Sequence, residues 1–228
     1  MAADIDKIKE ILLLKSSTKQ LVYRNSKQAF DVFKSEVKLI VDSIYPQVNV
    51  IDKNIEISVL EKTPFEFHLK FSGDTLVFMM HTNVFDFDKE HPLKKTKYLH
   101  KNSLRAFCGM IQVYNFLSDT IKYNREADAG FMVARFYINF ENHFYLEGEK
   151  PISYLYNDFE NQVFDSNAAK KIILESISFT LNFDLVAPSF NDMQMITLEQ
   201  KNQMSYSSGI PTSKTLGFSV PNENIDNY

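Results

Sequence analysis

The chain has 228 residues, of which 44% are hydrophobic, and this is enough to cover the core of one large domain or two small ones. Its formal net charge of −4 gives no general positive field for nucleic acid, and its single cysteine, Cys108, cannot form an internal disulfide. These values exclude a mainly disordered chain and a disulfide-stapled secreted fold, and they disfavour a dedicated DNA-binding protein.

The first 44 residues predict two helices. Over residues 4–15, Asp4 can cap a short amphipathic helix, and the segment Ser16-Ser17-Thr18 then interrupts the pattern. A longer helix is predicted over 26–44, because its apolar residues are separated alternately by three and four positions. These residues are Phe30, Phe33, Val37, Ile40 and Ile44. We expect this narrow stripe to pack against the sheet of the same domain, and a homodimer seam is the alternative.

Three strands are predicted after Pro46, which we expect to end the long helix. They cover residues 54–60, 65–71 and 75–81, with a turn at 72–74. In the second strand apolar residues alternate with Glu66, His68 and Lys70, and this pattern predicts one face on a core and the other in water. His68 is therefore expected at the surface.

The middle of the chain is predicted to form a loop and then a helix. Residues 82–101 are polar and charged, which is typical of a long surface loop. A central helix over 104–121 is indicated by the spacing of Leu104, Phe107, Ile111, Tyr114 and Ile121. The run 113–117 also allows a buried strand.

A hairpin is predicted from Gly130 to Gly148, with its reversal at Glu141-Asn142. Alternation places one set of side chains toward a core, namely Met132, Ala134, Phe136, Ile138 and Phe140, and the other set outward, namely Val133, Arg135, Tyr137 and Asn139. A last helix over about 168–185 follows the caps available at 165–167. Residues 201–228 are rich in Ser, Asn and Pro, and only 216–220 suggests a short docked strand.

The order of these elements predicts an α+β fold. We expect a single domain over 1–200, with an antiparallel sheet of about five strands packed by N-terminal, central and C-terminal helices. Residues 201–228 are expected to form a polar tail or docking arm.

One candidate for chemistry is a metal site in the segment between the third strand and the polar loop. Its predicted ligands are His81, Asp86, Asp88 and His91, because carboxylate and imidazole groups suit Zn²⁺, Mn²⁺ or Mg²⁺. Their spacing matches no established ligand pattern. A strand end with exposed carboxylates and with Phe85 and Phe87 turned inward explains the same residues.

A second candidate is a site for an anionic ligand where the polar loop enters the central helix. The N–H groups at a helix N-terminus attract anions, and basic residues surround this one. The residues are Lys94, Lys95, Lys97, Asn102, Ser103 and Arg105. Charge runs are more often solvated faces, and basic residues at a helix N-terminus oppose the dipole.

Arg135 is the third candidate, because an arginine within an apolar strand needs a partner. It either binds an anionic group, reaches solvent, or pairs with a carboxylate such as Glu66, Glu126 or Asp128.

Two weaker chemical patterns remain. The carboxylates Asp74, Glu147 and Glu149 with Lys150 resemble fragments of a metal-dependent nuclease set, and such groups are commonplace at strand ends. Cys108 lies in apolar company and is expected to be inert.

No motif identifies a reaction, so the leading hypothesis is a non-enzymatic, intracellular binding or adaptor protein that requires no cofactor. The alternatives are a metal-dependent hydrolase or nuclease using the segment 81–91, and a subunit of a larger assembly. A protein partner or homo-oligomer is possible, nucleic acid is unlikely, and no membrane association is expected. The segment 1–6 resembles no secretory signal, so we expect a cytoplasmic protein.

Overall fold

Six antiparallel strands form one sheet in a computed structural model that describes residues 2–185, 187, 189–191 and 194–206. The strands lie in the sheet in chain order, so each pairs with the next one along the sequence. Their bounds are β1 Ile57–Thr63, β2 Glu66–Phe71, β3 Asp74–Met80, β4 Gly109–Leu117, β5 Phe131–Ile138 and β6 Phe144–Gly148. The α+β class is confirmed, with six strands where about five were expected.

Two long helices and several short ones accompany the sheet. Their bounds are α1 Ala2–Ile11, α2 Ser17–Ile51, α3 Lys97–Lys101, α4 Ser118–Lys122, α5 Ser166–Leu181 and α6 Leu198–Tyr206. Three 3₁₀ turns lie at Pro92–Lys95, Ser103–Ala106 and Ile152–Tyr154. Within the described part of the chain, none of these helices has the combination of length and hydropathy that spanning a bilayer requires.

The two predicted N-terminal helices form one uninterrupted rod. A π-helical turn, Leu12–Ser16, joins α1 to α2. The hydroxyl of Thr18 donates to the carbonyl of Leu14 at 2.7 Å, so the polar residues are satisfied within the helix and do not break it. Pro46 lies inside α2, which continues to Ile51, and the prediction that Pro46 ends the helix is wrong.

The predicted central helix is replaced by β4, and the alternative of a buried strand is correct. Ile111, Val113 and Asn115 are buried on one side of β4, where a period of two places them. The whole strand pairs with β3 and β5. Aromatic and β-branched residues at 113–116 favour a strand that is enclosed on both edges over a helix.

The main core lies between one face of the sheet and the helices α2 and α5. The ring of Phe33 in α2 is fully buried and meets Phe136 of β5 edge-on at 5.2 Å between ring centroids. It also lies 6.2 Å from the ring of Phe78 in β3. The apolar stripe of the long helix therefore packs on the sheet of its own chain, as predicted, and Phe30, Phe33, Val37 and Ile40 are all buried there.

The opposite face of the sheet, called the outer face below, carries a second apolar cluster. Its buried members are Leu93, Tyr98, Leu99, Ala106, Cys108, Tyr137 and Phe159. Three of these, Leu93, Tyr98 and Leu99, belong to the segment 82–101, which was predicted to be a surface loop. This segment instead lies over the ends of β4, β5 and β6, because its interspersed aromatic and leucine side chains have sheet residues to cover.

The predicted hairpin is formed by β5 and β6, with one local change of phase. Pairing shifts between Val113 opposite Ala134 and Tyr114 opposite Met132, so Val133 is the extra residue of a β-bulge. As a result Val133, which was predicted to point outward, is fully buried in the main core.

Of the predicted tail, residues 201–206 belong to α6, and the predicted docked strand at 216–220 lies outside the described residues.

Replacing Phe33 by alanine is expected to lower the free energy of unfolding by about 3–5 kcal/mol, because it leaves a cavity among packed rings. Leu39 is a matched control on the same helix, since its side chain is 61% exposed. Leu39→Ala should change the unfolding free energy by less than about 0.5 kcal/mol. Urea denaturation measures both values, and equal losses in the two variants would contradict this packing of α2.

Gly109 is expected to tolerate no side chain, because a Cβ there would lie 1.7 Å from the Ser26 hydroxyl oxygen of α2. The Gly109→Ala variant should lose about 1–3 kcal/mol through overpacking between helix and sheet. At Gly73 a Cβ would meet no atom within 4 Å, so Gly73→Ala is the control. Thermal unfolding followed by circular dichroism should show a lower midpoint for Gly109→Ala alone.

Candidate functional site

Residues from four parts of the chain surround a cavity of about 330 Å³ between the outer face of the sheet and the segment 85–91. The sheet contributes Met110, Arg135, Tyr137 and Glu147. The covering segment contributes residues 85–88 and His91, and Ala106 and Cys108 close one end. Its volume falls within the usual range of small-molecule sites, and it is called the covered cavity below.

Strand register sets the order of side chains on the sheet wall. Tyr137 stands opposite Met110 of β4 and opposite Tyr145 of β6, which gives one apolar row across three strands. Two residues earlier in β5, and on the same face of the sheet, Arg135 stands opposite Glu147. The two rows therefore place an apolar strip beside an ion pair on the same wall.

The cover is held to the sheet by backbone and ring contacts. Phe85 and Cys108 exchange two backbone hydrogen bonds, of 2.8 and 2.9 Å. The ring of Phe87 meets Tyr137 edge-on at 5.1 Å and stacks on His91 at 4.7 Å. The ring contacts turn Phe87 toward the sheet, as predicted for the structural alternative to a metal site, whereas the ring of Phe85 packs against His81.

One carboxylate organises the polar side of the covered cavity. Glu147 accepts a hydrogen bond from Arg135 Nε at 2.7 Å on Oε2, while Oε1 lies 3.3 Å from His91 Nε2. His91 Nδ1 accepts from the backbone N–H of Leu93 at 3.3 Å, which places the proton of the neutral ring on Nε2, facing Glu147. Both oxygens of Glu147 are thereby engaged, and its charge is balanced by Arg135.

Two groups of the cavity that can act as nucleophile or base when deprotonated, Cys108 and Tyr137, are held in their protonated forms. Burial raises the pKa of the Cys108 thiol well above its usual range, so little thiolate exists at neutral pH. Burial is also the main reason that the pKa of Tyr137 rises to about 12, with the charge of Glu147 contributing. The arrangement therefore suits binding better than nucleophilic chemistry.

A buried polar junction fixes the cover at its far end. Asn139 is fully buried, and its Nδ2 donates to the hydroxyl of Tyr98 at 2.9 Å. That hydroxyl donates to Glu141 Oε2 at 2.6 Å, and Arg105 NH2 donates to Glu141 Oε1 at 3.0 Å. The junction ties the segment 98–105 to the turn between β5 and β6.

The structure does not bring the four predicted metal ligands together. Asp86, Asp88 and His91 all line the covered cavity, but Asp86 pairs with Lys94, and Asp88 accepts the backbone N–H of Glu90 at 2.9 Å. His81 accepts the N–H of Asn83 at 3.0 Å and does not line this cavity. Among the described residues, no group of three or more His, Cys, Asp or Glu side chains is placed to hold a metal ion.

The predicted anion site loses the helix on which it depended. Asn102 caps only a four-residue 3₁₀ turn that starts at Ser103, and so short a turn has no appreciable dipole. Lys94 is paired with Asp86, and Arg105 is paired with Glu141. Lys95 and Lys97 are exposed, as expected of a solvated charge run. None of the six residues predicted for this anion site lines the covered cavity, whereas Arg135, the third candidate, does.

Arg135 has a partner that was not among the predicted carboxylates. Glu147 was named only as part of a nuclease set with Glu149, Lys150 and Asp74, and Asp74 belongs to the inner face with Leu76 and Phe78. Since the sheet separates Asp74 from Glu147, that set is not assembled. The predicted reversal at 141–142 would pair Arg135 with Gly148, whereas the observed register is shifted by one residue, pairs Ile138 with Phe144 and places Arg135 opposite Glu147, so the sequence did not identify this pair.

A second, wider cleft of about 520 Å³ lies at the other end of the outer face. Its floor includes His68, which was predicted to be a surface residue. His68 is only 7% exposed, and its Nε2 lies 2.6 Å from Glu66 Oε1. The residue is buried because the outer face curves under the connection between β4 and β5, whose residues Thr120 and Ile121 line the same cleft.

Comparisons with protein-family models, with curated proteins and with solved structures find no match to this chain.

Replacing Glu141 by glutamine tests the polar junction through its pH dependence. Burial acts to raise the pKa of Glu141, but hydrogen bonds from Arg105 and Tyr98 outweigh it and leave the pKa below its usual range. The carboxylate thus stabilises the fold above its unfolded pKa of about 4.3, and this contribution is lost as the pH falls through the lower folded pKa. Glu141→Gln should therefore be less stable than the parent at pH 7, and the gap should close in acid. Urea denaturation across pH measures this gap, and a gap that widens in acid would contradict the pairing.

Proposed function

We propose that this protein is a non-enzymatic binding protein that holds a small organic cation in the covered cavity. The observation that carries the proposal is the combination of aromatic walls with carboxylates around one enclosed volume. Aromatic faces and carboxylates together are the groups that recognise ammonium ligands.

The apolar part of such a ligand is matched by the sheet wall and the cover. Phe85, Phe87 and Tyr137 present rings, and Met110 adds a polarizable thioether. These side chains offer apolar surface to a planar or branched hydrocarbon body.

The balance of charge favours a cation over an anion. The lining includes the carboxylates of Asp86, Asp88 and Glu147 and one guanidinium, that of Arg135. Glu147 neutralises Arg135, and Lys94 pairs with Asp86. Within the described part of the chain Asp88 has no cationic side chain as a partner, so its carboxylate is the one offered to a ligand.

Binding without reaction is supported by the state of the reactive groups. The pKa of Cys108 is raised by burial, and the ring nitrogens of His91 face Glu147 and the backbone of Leu93. Neither residue is available as a nucleophile or general base in this geometry.

A series of three probes with one aromatic body tests the preference for charge. Phenethylammonium should bind in the covered cavity, neutral 2-phenylethanol should bind more weakly, and anionic phenylacetate should bind least. Asp88→Asn should weaken phenethylammonium binding by roughly tenfold, which corresponds to one ion pair of about 1.4 kcal/mol. Isothermal titration calorimetry measures all three.

Asp42→Asn is the matched control, because Asp42 is an exposed carboxylate on α2, across the sheet from the cavity. It should leave all three affinities unchanged. Phenylacetate binding as tightly as the ammonium, or an unchanged affinity in Asp88→Asn, would contradict the proposal.

A further inference from the structure

The first helical segment carries a long apolar surface that is exposed among the described residues. Every residue from 4 to 17 is exposed. Six large hydrophobic side chains lie within this stretch, each at least half exposed: Ile5, Ile8, Ile11, Leu12, Leu13 and Leu14. Residues 4–17 are called the arm below. The first fully buried residue beyond it is Val22.

The apolar side chains of the arm are exposed in the monomer. Its fourteen helical residues extend about 20 Å and are continuous with α2. A contiguous apolar patch of this kind marks an interaction surface, since scattered single residues would need no explanation.

The root of the arm is held in place by the domain. The ammonium groups of Lys15 and Lys19 lie 5.4 and 4.9 Å from the centre of the Phe107 ring. Because α1 continues through the π-helical turn into α2, the direction of the arm is set by the helix that forms the main core. The apolar surface is thereby presented to a partner in a defined orientation.

The two ends of the arm and its root differ in net charge. Residues 4–10 carry three acidic residues, among them Asp4 and Asp6, and two lysines, which gives a net charge of −1, whereas Lys15 and Lys19 make the other end basic. Two copies aligned side by side in the same direction would place like charges together. Two copies in opposite directions would place each acidic end beside a basic end, while the apolar residues between them meet at the centre.

We infer that the arm pairs antiparallel with the arm of a second copy of this chain. The arrangement is a two-fold, self-complementary interface in which Ile8 and Leu12 lie near the axis. A lipid surface fits less well, because residues 4–14 carry three acidic residues and two lysines, whereas helices that bind membrane surfaces are rich in lysine and arginine. This inference does not depend on the covered cavity.

Sedimentation equilibrium of the full chain tests the pairing. Two arms bury less area than a standard interface, so we expect a monomer–dimer equilibrium in the micromolar range. Ile8→Asp combined with Leu12→Asp should raise the dimer Kd at least roughly tenfold. Leu39→Asp is the control, since Leu39 is an exposed leucine outside the arm and should leave the Kd unchanged.

The stability of the domain separates loss of pairing from loss of folding. Arm residues are absent from the core clusters, so the double variant should keep the urea midpoint that the parent shows as a monomer. A lower monomer midpoint would show that the arm serves its own domain, and this would overturn the inference.

Charge variants test the antiparallel direction. Asp4→Lys with Asp6→Lys, and Lys15→Glu with Lys19→Glu, should each weaken self-association, because each makes both ends of the arm alike in charge. An equimolar mixture of the two variants should regain the dimer. Variants that associate as the parent does, or a parent that stays monomeric at every concentration, would overturn the inference. A monomer that binds vesicles of phosphatidylcholine and phosphatidylserine would overturn it in favour of a lipid partner.

Discussion

The packing of α2 across one face of the sheet is the constraint on which the other features depend. Phe33 inserts its ring among rings from β3 and β5, and Gly109 lets the helix approach β4 closely at Ser26. Core interiors are packed as densely as organic crystals, so this contact leaves little freedom in how helix and sheet align. With the inner face occupied by α2 and α5, any ligand site on the sheet has to lie on the outer face.

Asn139 extends that constraint to the outer layer. Asn25 of α2 donates to the backbone carbonyls of Asn139 and Phe140 at 3.1 and 3.0 Å, while the side chain of Asn139 reaches Tyr98 in the cover. One buried residue thus connects the long helix, the hairpin turn and the segment over the covered cavity. Buried polar networks of this kind hold their partners in one geometry because an unsatisfied member is costly.

The two proposed surfaces lie in different parts of the molecule and rest on different physical effects. The covered cavity combines aromatic rings with a local excess of carboxylates, so we expect it to select its ligand by positive charge and by shape. The arm combines a wide apolar surface with ends of opposite net charge, so we expect it to bind a complementary helix. Because α1 continues into α2, and α2 packs on the sheet that carries the covered cavity, the position of the arm relative to the covered cavity is set by the main core.

Local patterns in the sequence determined most of the individual elements. A period of two located β2, β3, β5 and β6, and the carboxylate of Asp165 marked the start of α5, where it accepts the N–H of Ala168 at 2.7 Å. The reversal of the hairpin at Glu141-Asn142 was located to within one residue, although only the observed register places Arg135 opposite Glu147. These features depend on neighbours along the chain or across one tight turn, which a sequence displays directly.

Only the tertiary structure decided the features that depend on distant contacts. Residues 109–117 have spacing that suits a helix as well as a strand, and the free edges of β3 and β5 select the strand. Asp86, Asp88, His91 and Arg135 were recognised as unusual, but their convergence on one cavity needs the cover to cross three strands. The exposure of the arm among the described residues is likewise a tertiary feature, because the same apolar spacing serves a buried helix and an exposed one.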